Sequence, residues 1–138
     1  MAILLALIAS VAFQEQKPLT VWVGVYTADQ AKRGAALYAN NCASCHGLAL
    51  TGGESAPPLT GGEFLSNWSS LTLGDLFERM RNSMPADRPG TLSREQNASI
   101  LAHILSVGEF PAGTALLSTQ TEVLKQIRIE AVKPEHSK

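Results

Sequence analysis

The chain has 138 residues, 45% hydrophobic and 17% charged, with 11 Lys and Arg against 12 Asp and Glu for a net charge of −1. That length suits one domain with a core of its own. The balanced charge excludes a nucleic-acid binder and a polybasic membrane binder, both of which need a cationic excess.

The chain opens on a continuous apolar run, Met1 to Phe13, that stops at Gln14-Glu15-Gln16-Lys17-Pro18. The run is too short to span a bilayer, and small residues at Ser10 and Ala12 fit a secretory cleavage site. We therefore expect a signal peptide over 1–12, a mature chain beginning near Phe13 and a periplasmic product. No Lys or Arg precedes the run, so its charged leader is the terminal amine alone, or the true start lies upstream. A buried N-terminal helix is the alternative.

Residues 13–27 read as an extended arm, because Leu19-Thr20-Val21-Trp22-Val23-Gly24-Val25-Tyr26 is rich in β-branched and aromatic side chains. Thr27 with Gln30 predicts a capping box, and Ala28, Ala31, Ala35, Ala36 and Leu37 carry a helix to about Asn41. This helix delivers Cys42-Ala43-Ser44-Cys45-His46, a C-x-x-C-H signature of covalent c-type haem attachment.

The spacing has a chemical reason. Two cysteines three residues apart in one helical turn present both sulfurs on one side, where they can add to the two vinyl groups of one porphyrin. His46 then falls over one face of the ring as the proximal iron ligand. A thioredoxin-like redox pair needs a βαβ context that the flanking sequence lacks. A structural zinc site needs four Cys or His ligands, and beyond these three the chain offers only His103 and His136. Thioether formation consumes both cysteines, which also suits an oxidising compartment where no disulfide partner remains.

Gly47 to Gly62 is rich in Gly, Pro, Ser and Thr and reads as a loop able to wrap a flat ligand. Glu63 to Trp68 predicts one short helical turn. Thr72 with Asp75 predicts a second cap, followed by Leu73, Leu76, Phe77 and Met80 at helical spacing to about Asn82. Ser83 to Leu92 is a loop, since Pro85 and Pro89 break any helical ladder and Gly90 invites a turn. Ser93 with Gln96 caps a helix that places Ile100, Leu101, Ile104, Leu105 and Val107 on its buried side and stops at Gly108. Phe110-Pro111-Ala112-Gly113 turns the chain. Thr119 with Glu122 predicts a last short helix through Gln126, and Ile127 to Val132 alternates as a strand before a polar tail, 133–138.

The second face of the iron has three candidate ligands, Met80, Met84 and His103. Met84 lies in the proline-broken loop, free to bring its soft thioether to the metal. Met80 sits on an apolar helical stripe, where packing is the default role, and a lone His103 between Ala102 and Ile104 reads as a packing or surface residue. Thioether ligation raises the reduction potential and fills the sixth position, which points to electron transfer rather than to catalysis at iron. An open sixth position would instead give a haem peroxidase or gas binder.

From Ala28 to Val107 the chain resembles a class I c-type cytochrome. The resemblance implies an all-α cytochrome c fold of three main helices around one covalently attached haem c, here spanning 28–108, with the arm before it and a helix/strand extension, 109–138, after it. In that family a Gly and an aromatic on the first helix cross an aliphatic and an aromatic on the last; Gly34, Tyr38 and Ile100 match, and His103 stands where an aromatic is usual. Pro57-Pro58-Leu59-Thr60-Gly61 is similar to the family's Pro-x-Leu-x-Gly stretch, which implies that the Pro57 carbonyl accepts a hydrogen bond from the His46 ring. Trp68 matches a tryptophan that donates to a haem propionate, and Met84-Pro85 is similar to the methionine loop of bacterial members. The flanks are similar to cytochrome modules that accompany pyrroloquinoline-quinone-dependent dehydrogenases.

The function these readings imply is single-electron transfer by Fe(II)/Fe(III) cycling between a dehydrogenase or respiratory membrane complex and a terminal oxidase, with no bond-making chemistry by the protein. The alternative is a haem-bearing subunit or module of such a dehydrogenase. Contacts with redox partners would be transient, and Lys32, Arg33, Arg79, Arg81 and Arg88 are basic residues available to them.

Overall fold

The computed structural model describes Ala12 and residues 18–135. Residues 1–11 of the expected signal, the cleavage region 13–17 and His136 lie outside the described residues. The elements in order are β1 (Leu19–Thr20), a 3₁₀ turn (Val21–Val23), α1 (Ala28–Asn41), α2 (Ala43–His46), α3 (Gly61–Trp68), α4 (Leu73–Ser83), α5 (Arg94–Val107), α6 (Thr121–Leu124) and β2 (Ile127–Arg128). The fold is all-α, with α1, α4 and α5 as the three long helices that the resemblance implied.

Two of the helices begin as the sequence dictates. Thr72 and Asp75 exchange side-chain and backbone hydrogen bonds in a full capping box at α4, and Ser93 and Gln96 do the same at α5. The bonds to Thr72 hold the Asp75 carboxyl below the usual carboxylate range. α1 is capped by half of the expected box. Thr27 accepts from the Gln30 N–H at 3.2 Å, but the Gln30 side chain turns away from the cap and pairs with the backbone of Leu117 instead.

α1 packs across α5, and the crossing is a backbone contact. A Cβ placed on Gly34 would lie 1.8 Å from the Ser99 carbonyl oxygen and 3.1 Å from His103 Cβ, so only glycine lets the helices approach this closely. The Tyr38 ring rests against His103 on the same face, centroids 5.3 Å apart and tilted by 52°. Around the crossing the core is built from Leu73, Leu76 and Phe77 of α4 and Ile100, Leu101 and Leu105 of α5, all buried.

The C-terminal extension is a strap that returns over this body. Tyr26 Oη donates to Phe110 O (2.5 Å) and the Gly113 N–H to Tyr26 O (2.6 Å). Gln30 then takes the strap in both directions, Nε2 donating to Leu117 O (3.1 Å) and Oε1 accepting from Leu117 N (2.7 Å). Arg94 Nη1 donates to Thr119 O at 2.9 Å. Finally β2 pairs in parallel with β1, Leu19 opposite Ile127, and Trp22 Nε1 donates to Glu130 O at 2.9 Å.

Four local expectations are corrected. Among the described residues of the arm only β1 is strand, after which Val21 turns inward to full burial in the 3₁₀ turn, capped by Thr20, and Gly24 takes φ 74°. The loop after the haem motif ends at Thr60, not Gly62, because α3 already starts at Gly61 and runs for 8 residues. Thr119 caps nothing: α6 begins after Gln120, which makes no side-chain cap, while the Thr119 carbonyl is taken by Arg94. The strand expected over Ile127 to Val132 is limited to Ile127–Arg128, since Ile129 bonds instead to Leu71 and Ser70 of the α3–α4 turn.

Gly34→Ala should therefore destabilise the protein by about 3 kcal/mol, the upper end of what overpacking typically costs. Gly62→Ala, where a Cβ meets nothing within 4 Å, should change stability by less than about 1 kcal/mol. Urea midpoints of the two variants read the difference.

Candidate haem site

The last turn of α1 hands the chain to the motif. Asn41 Nδ2 donates to Leu37 O and the Cys42 N–H to Tyr38 O, both at 2.8 Å, which keeps α1 intact to its end. At Cys42 the backbone leaves α1, and the single turn α2 closes with the Cys45 and His46 N–H groups both donating to Cys42 O at 3.2 and 3.0 Å. Both thiols are free, Cys45 exposed and Cys42 half-buried. Burial, with the neighbouring Cys45, pushes the Cys42 thiol up to about 11.

His46 is 7% exposed, and its Nδ1 lies 2.7 Å from Pro57 O. A carbonyl can only accept, so Nδ1 carries the proton and Nε2 keeps its lone pair for another partner. Pro57 reaches this position because the intervening loop is stapled to itself. The Leu50 N–H donates to Gly47 O (3.1 Å), Gly52 to His46 O (2.8 Å), Gly53 to Ala56 O (2.9 Å) and Leu59 to Leu50 O (2.8 Å). Leu50, at φ 60° and fully buried, pins the loop to the core.

The other expected site residues sit as follows. Met84 is the first residue beyond α4, extended and half-buried, with its N–H still bonded to Met80 O at 3.0 Å. The Met84–Pro85 peptide is cis. Met80 is buried in the core with Phe77 and Leu76. Trp68 ends α3, half-buried against the core, and its indole N–H has no protein acceptor among the described residues. His103 packs on Tyr38, and burial lowers its pKa below the usual histidine value, so the ring is neutral at pH 7.

One contact had not been anticipated from the sequence. The Tyr38 hydroxyl donates to Gly47 O at 2.7 Å, nine residues along and immediately after His46. The available signal was the residue type: a tyrosine at a buried crossing needs an acceptor where phenylalanine does not.

This donor set fits haem c. It offers two thiols in one turn, an imidazole with a free Nε2, a thioether in a loop and an indole N–H open to an acceptor. No group of three or more His, Cys, Asp or Glu among the described residues could hold a bare metal ion. A porphyrin, which brings its own four nitrogens to iron, needs no such cage.

Fold and donors together define a class I c-type cytochrome. The family model described as “Cytochrome C oxidase, cbb3-type, subunit III” matches residues 29–104, more than half of the chain, and the chain belongs to this family. Among solved structures, the chain is similar to one titled “Crystal Structure of the Sulfane Dehydrogenase SoxCD from Paracoccus pantotrophus”. The identity is 26% and the TM-score 0.55, over 83% of this chain and 66% of that one. No curated protein matches. The chain is thus a cytochrome c domain, the kind that carries electrons by means of haem c.

In the haem-free chain the two thiols should differ in reactivity. The raised pKa of Cys42 leaves it far less thiolate than an ordinary cysteine, so iodoacetamide at about pH 8 should label Cys45 at least about tenfold faster. Fragment-ion mass spectrometry of the peptide containing both cysteines measures the ratio.

Proposed function

We propose that this is an exported single-haem electron carrier in which Cys42 and Cys45 would hold haem c through two thioethers and His46 Nε2 and Met84 Sδ would ligate its iron. The observation that carries the reading is the 2.7 Å contact between His46 Nδ1 and Pro57 O. A donor hydrogen bond of this kind fixes the tautomer, orients the ring and raises the basicity of Nε2.

When bound, haem c supplies a one-electron Fe(II)/Fe(III) couple. The chain's residues do the rest. The thioethers prevent loss of the ring, His46 and Met84 hold their positions in both oxidation states, and the buried side chains around them exclude water. Trp68 would donate its indole N–H to a haem propionate. Exposed Cys45 leaves the thioether edge open to a partner. With His46 and Met84 both ligating the iron, no position would remain for a substrate there, which favours a carrier over an enzyme.

The signal over residues 1–12 directs the chain to the periplasm, where it takes single electrons from a dehydrogenase or membrane complex and passes them to a terminal oxidase. No helix among the described residues is long and apolar enough to cross a membrane. A second reading, a haem-bearing subunit of a dehydrogenase, is supported by the likeness to the sulfane dehydrogenase chain. That likeness covers 83% of this chain, more than the 29–104 segment shared with the cytochrome family. Co-purification at native abundance separates the readings: a carrier elutes alone, a subunit with its dehydrogenase.

Expressed with haem-maturation machinery, the mature chain should show the mass of residues 13–138 plus one haem, and boiling in denaturant should not extract the pigment. Met84→Ala should abolish the sulfur-to-iron band in the far red of the ferric spectrum. The same change should lower the reduction potential by on the order of 0.1 V. A colourless product, or pigment removed by solvent, refutes the assignment.

A further inference from the structure

The Tyr38 hydroxyl stands in an unusual place. Tyr38 is 1% exposed, held between the α1–α5 crossing and the haem motif, and its Oη donates to Gly47 O at 2.7 Å. Gly47 has φ 81° and ψ 150°, a backbone region that is essentially reserved for glycine. Its carbonyl also accepts from Leu50 N at 3.1 Å, so one oxygen receives both the helix crossing and the first turn of the loop. That loop returns to His46 twice, through Gly52 N to His46 O and through Pro57 O at the ring.

We propose that Tyr38 is a positioning residue for the haem: by anchoring the Gly47 carbonyl, its hydroxyl fixes the loop that aims Pro57 O at His46 Nδ1. The role rests on the assignment of His46 as iron ligand. Phenylalanine would fill the same space against Gly34 and His103, so packing alone does not account for the hydroxyl. Burial pushes the phenol up to about 12, with a smaller contribution from Cys42, and the group therefore stays a donor throughout the physiological range.

The physical consequence runs through ligand basicity. A slack loop lengthens the Nδ1–H···O contact, the imidazole becomes a weaker base, and the ferric state loses more stabilisation than the ferrous state. The reduction potential then rises.

The test uses the haem-loaded protein and Tyr38→Phe, which deletes only the hydroxyl. Optical spectra first establish that each sample holds haem with both axial ligands in place. Exchange of the His46 Nδ1 proton, followed by NMR in the reduced state, should be about fivefold faster in Tyr38→Phe, as for loss of one ordinary hydrogen bond. The reduction potential should move positive. His103→Phe, which alters the other side of the crossing but keeps the hydroxyl, should leave both readouts unchanged.

If Tyr38→Phe fails to mature, 3-fluorotyrosine incorporated in a Tyr26→Phe background labels position 38 alone, since the chain has two tyrosines. The fluorine strengthens the donor, so both readouts should shift the opposite way. A haem-loaded Tyr38→Phe protein with unchanged exchange and potential overturns the role of Tyr38 alone, as does an equal shift in His103→Phe. A wild-type protein without haem overturns the ligand assignment itself.

Discussion

The rest of the structure depends on the contact between the Gly34 backbone and the Ser99 carbonyl. Because that oxygen occupies the space a Cβ would need, the axes of α1 and α5 are set by main-chain atoms rather than by interchangeable side chains. Contacts of this kind, with a Cα–H facing a carbonyl across a helix interface, are individually weak but tightly constrained in distance. Fixing α1 at one point along its length fixes its C-terminal end. Cys42, Cys45 and His46 leave that end without a flexible residue between, so their position is inherited from the crossing.

A second consequence concerns order along the chain. Tyr38 lies one turn beyond Gly34 on the same face, so the crossing that admits the glycine also buries the phenol and leaves its hydroxyl the Gly47 carbonyl as acceptor. Helix packing and loop geometry are thereby joined by a single bond. The strap makes the joint rigid from the other side, since Gln30, one turn before Gly34, is locked to Leu117 by two hydrogen bonds. A buried amide is costly unless both its donor and its acceptor are satisfied, and a backbone N–H and C=O of one residue satisfy both.

These two glutamine bonds also show where sequence reasoning stops. The capping boxes Thr72–Asp75 and Ser93–Gln96 were legible because each is complete within four residues. Thr27 and Gln30 carry the same pattern, yet Gln30 found a stronger claim 87 residues away, and no local rule foresees that. Val21 to Val23 has strand propensity, but burying Val21 on the body outweighed it, as tertiary context commonly outweighs β-propensity. At the candidate site, the C-x-x-C-H spacing of Cys42, Cys45 and His46 stands in the sequence itself, and the structure places the three residues around the single turn α2. The contact of Pro57 with His46 was legible only through family resemblance, and the acceptor of the Tyr38 hydroxyl was not legible at all, since it is a backbone atom that carries no sequence signature.

The chemistry of the acceptors then bears on what kind of redox centre this is. Every group that holds the His46 segment is a neutral amide or phenol: Pro57 O on the ring, Gly52 N on the His46 carbonyl, Tyr38 Oη and Leu50 N on the Gly47 carbonyl. Between Arg33 and Glu54 the sequence contains no Asp, Glu, Lys or Arg. A carboxylate on Nδ1 would draw the ring towards imidazolate and favour the ferric state strongly, whereas a carbonyl polarises it while leaving it a neutral ligand. Amide and phenol partners of this kind also carry no charge that changes between mildly acidic and mildly alkaline pH. With His46 as the iron ligand proposed above, a centre built this way would suit electron transfer between partners better than proton-coupled chemistry at the metal.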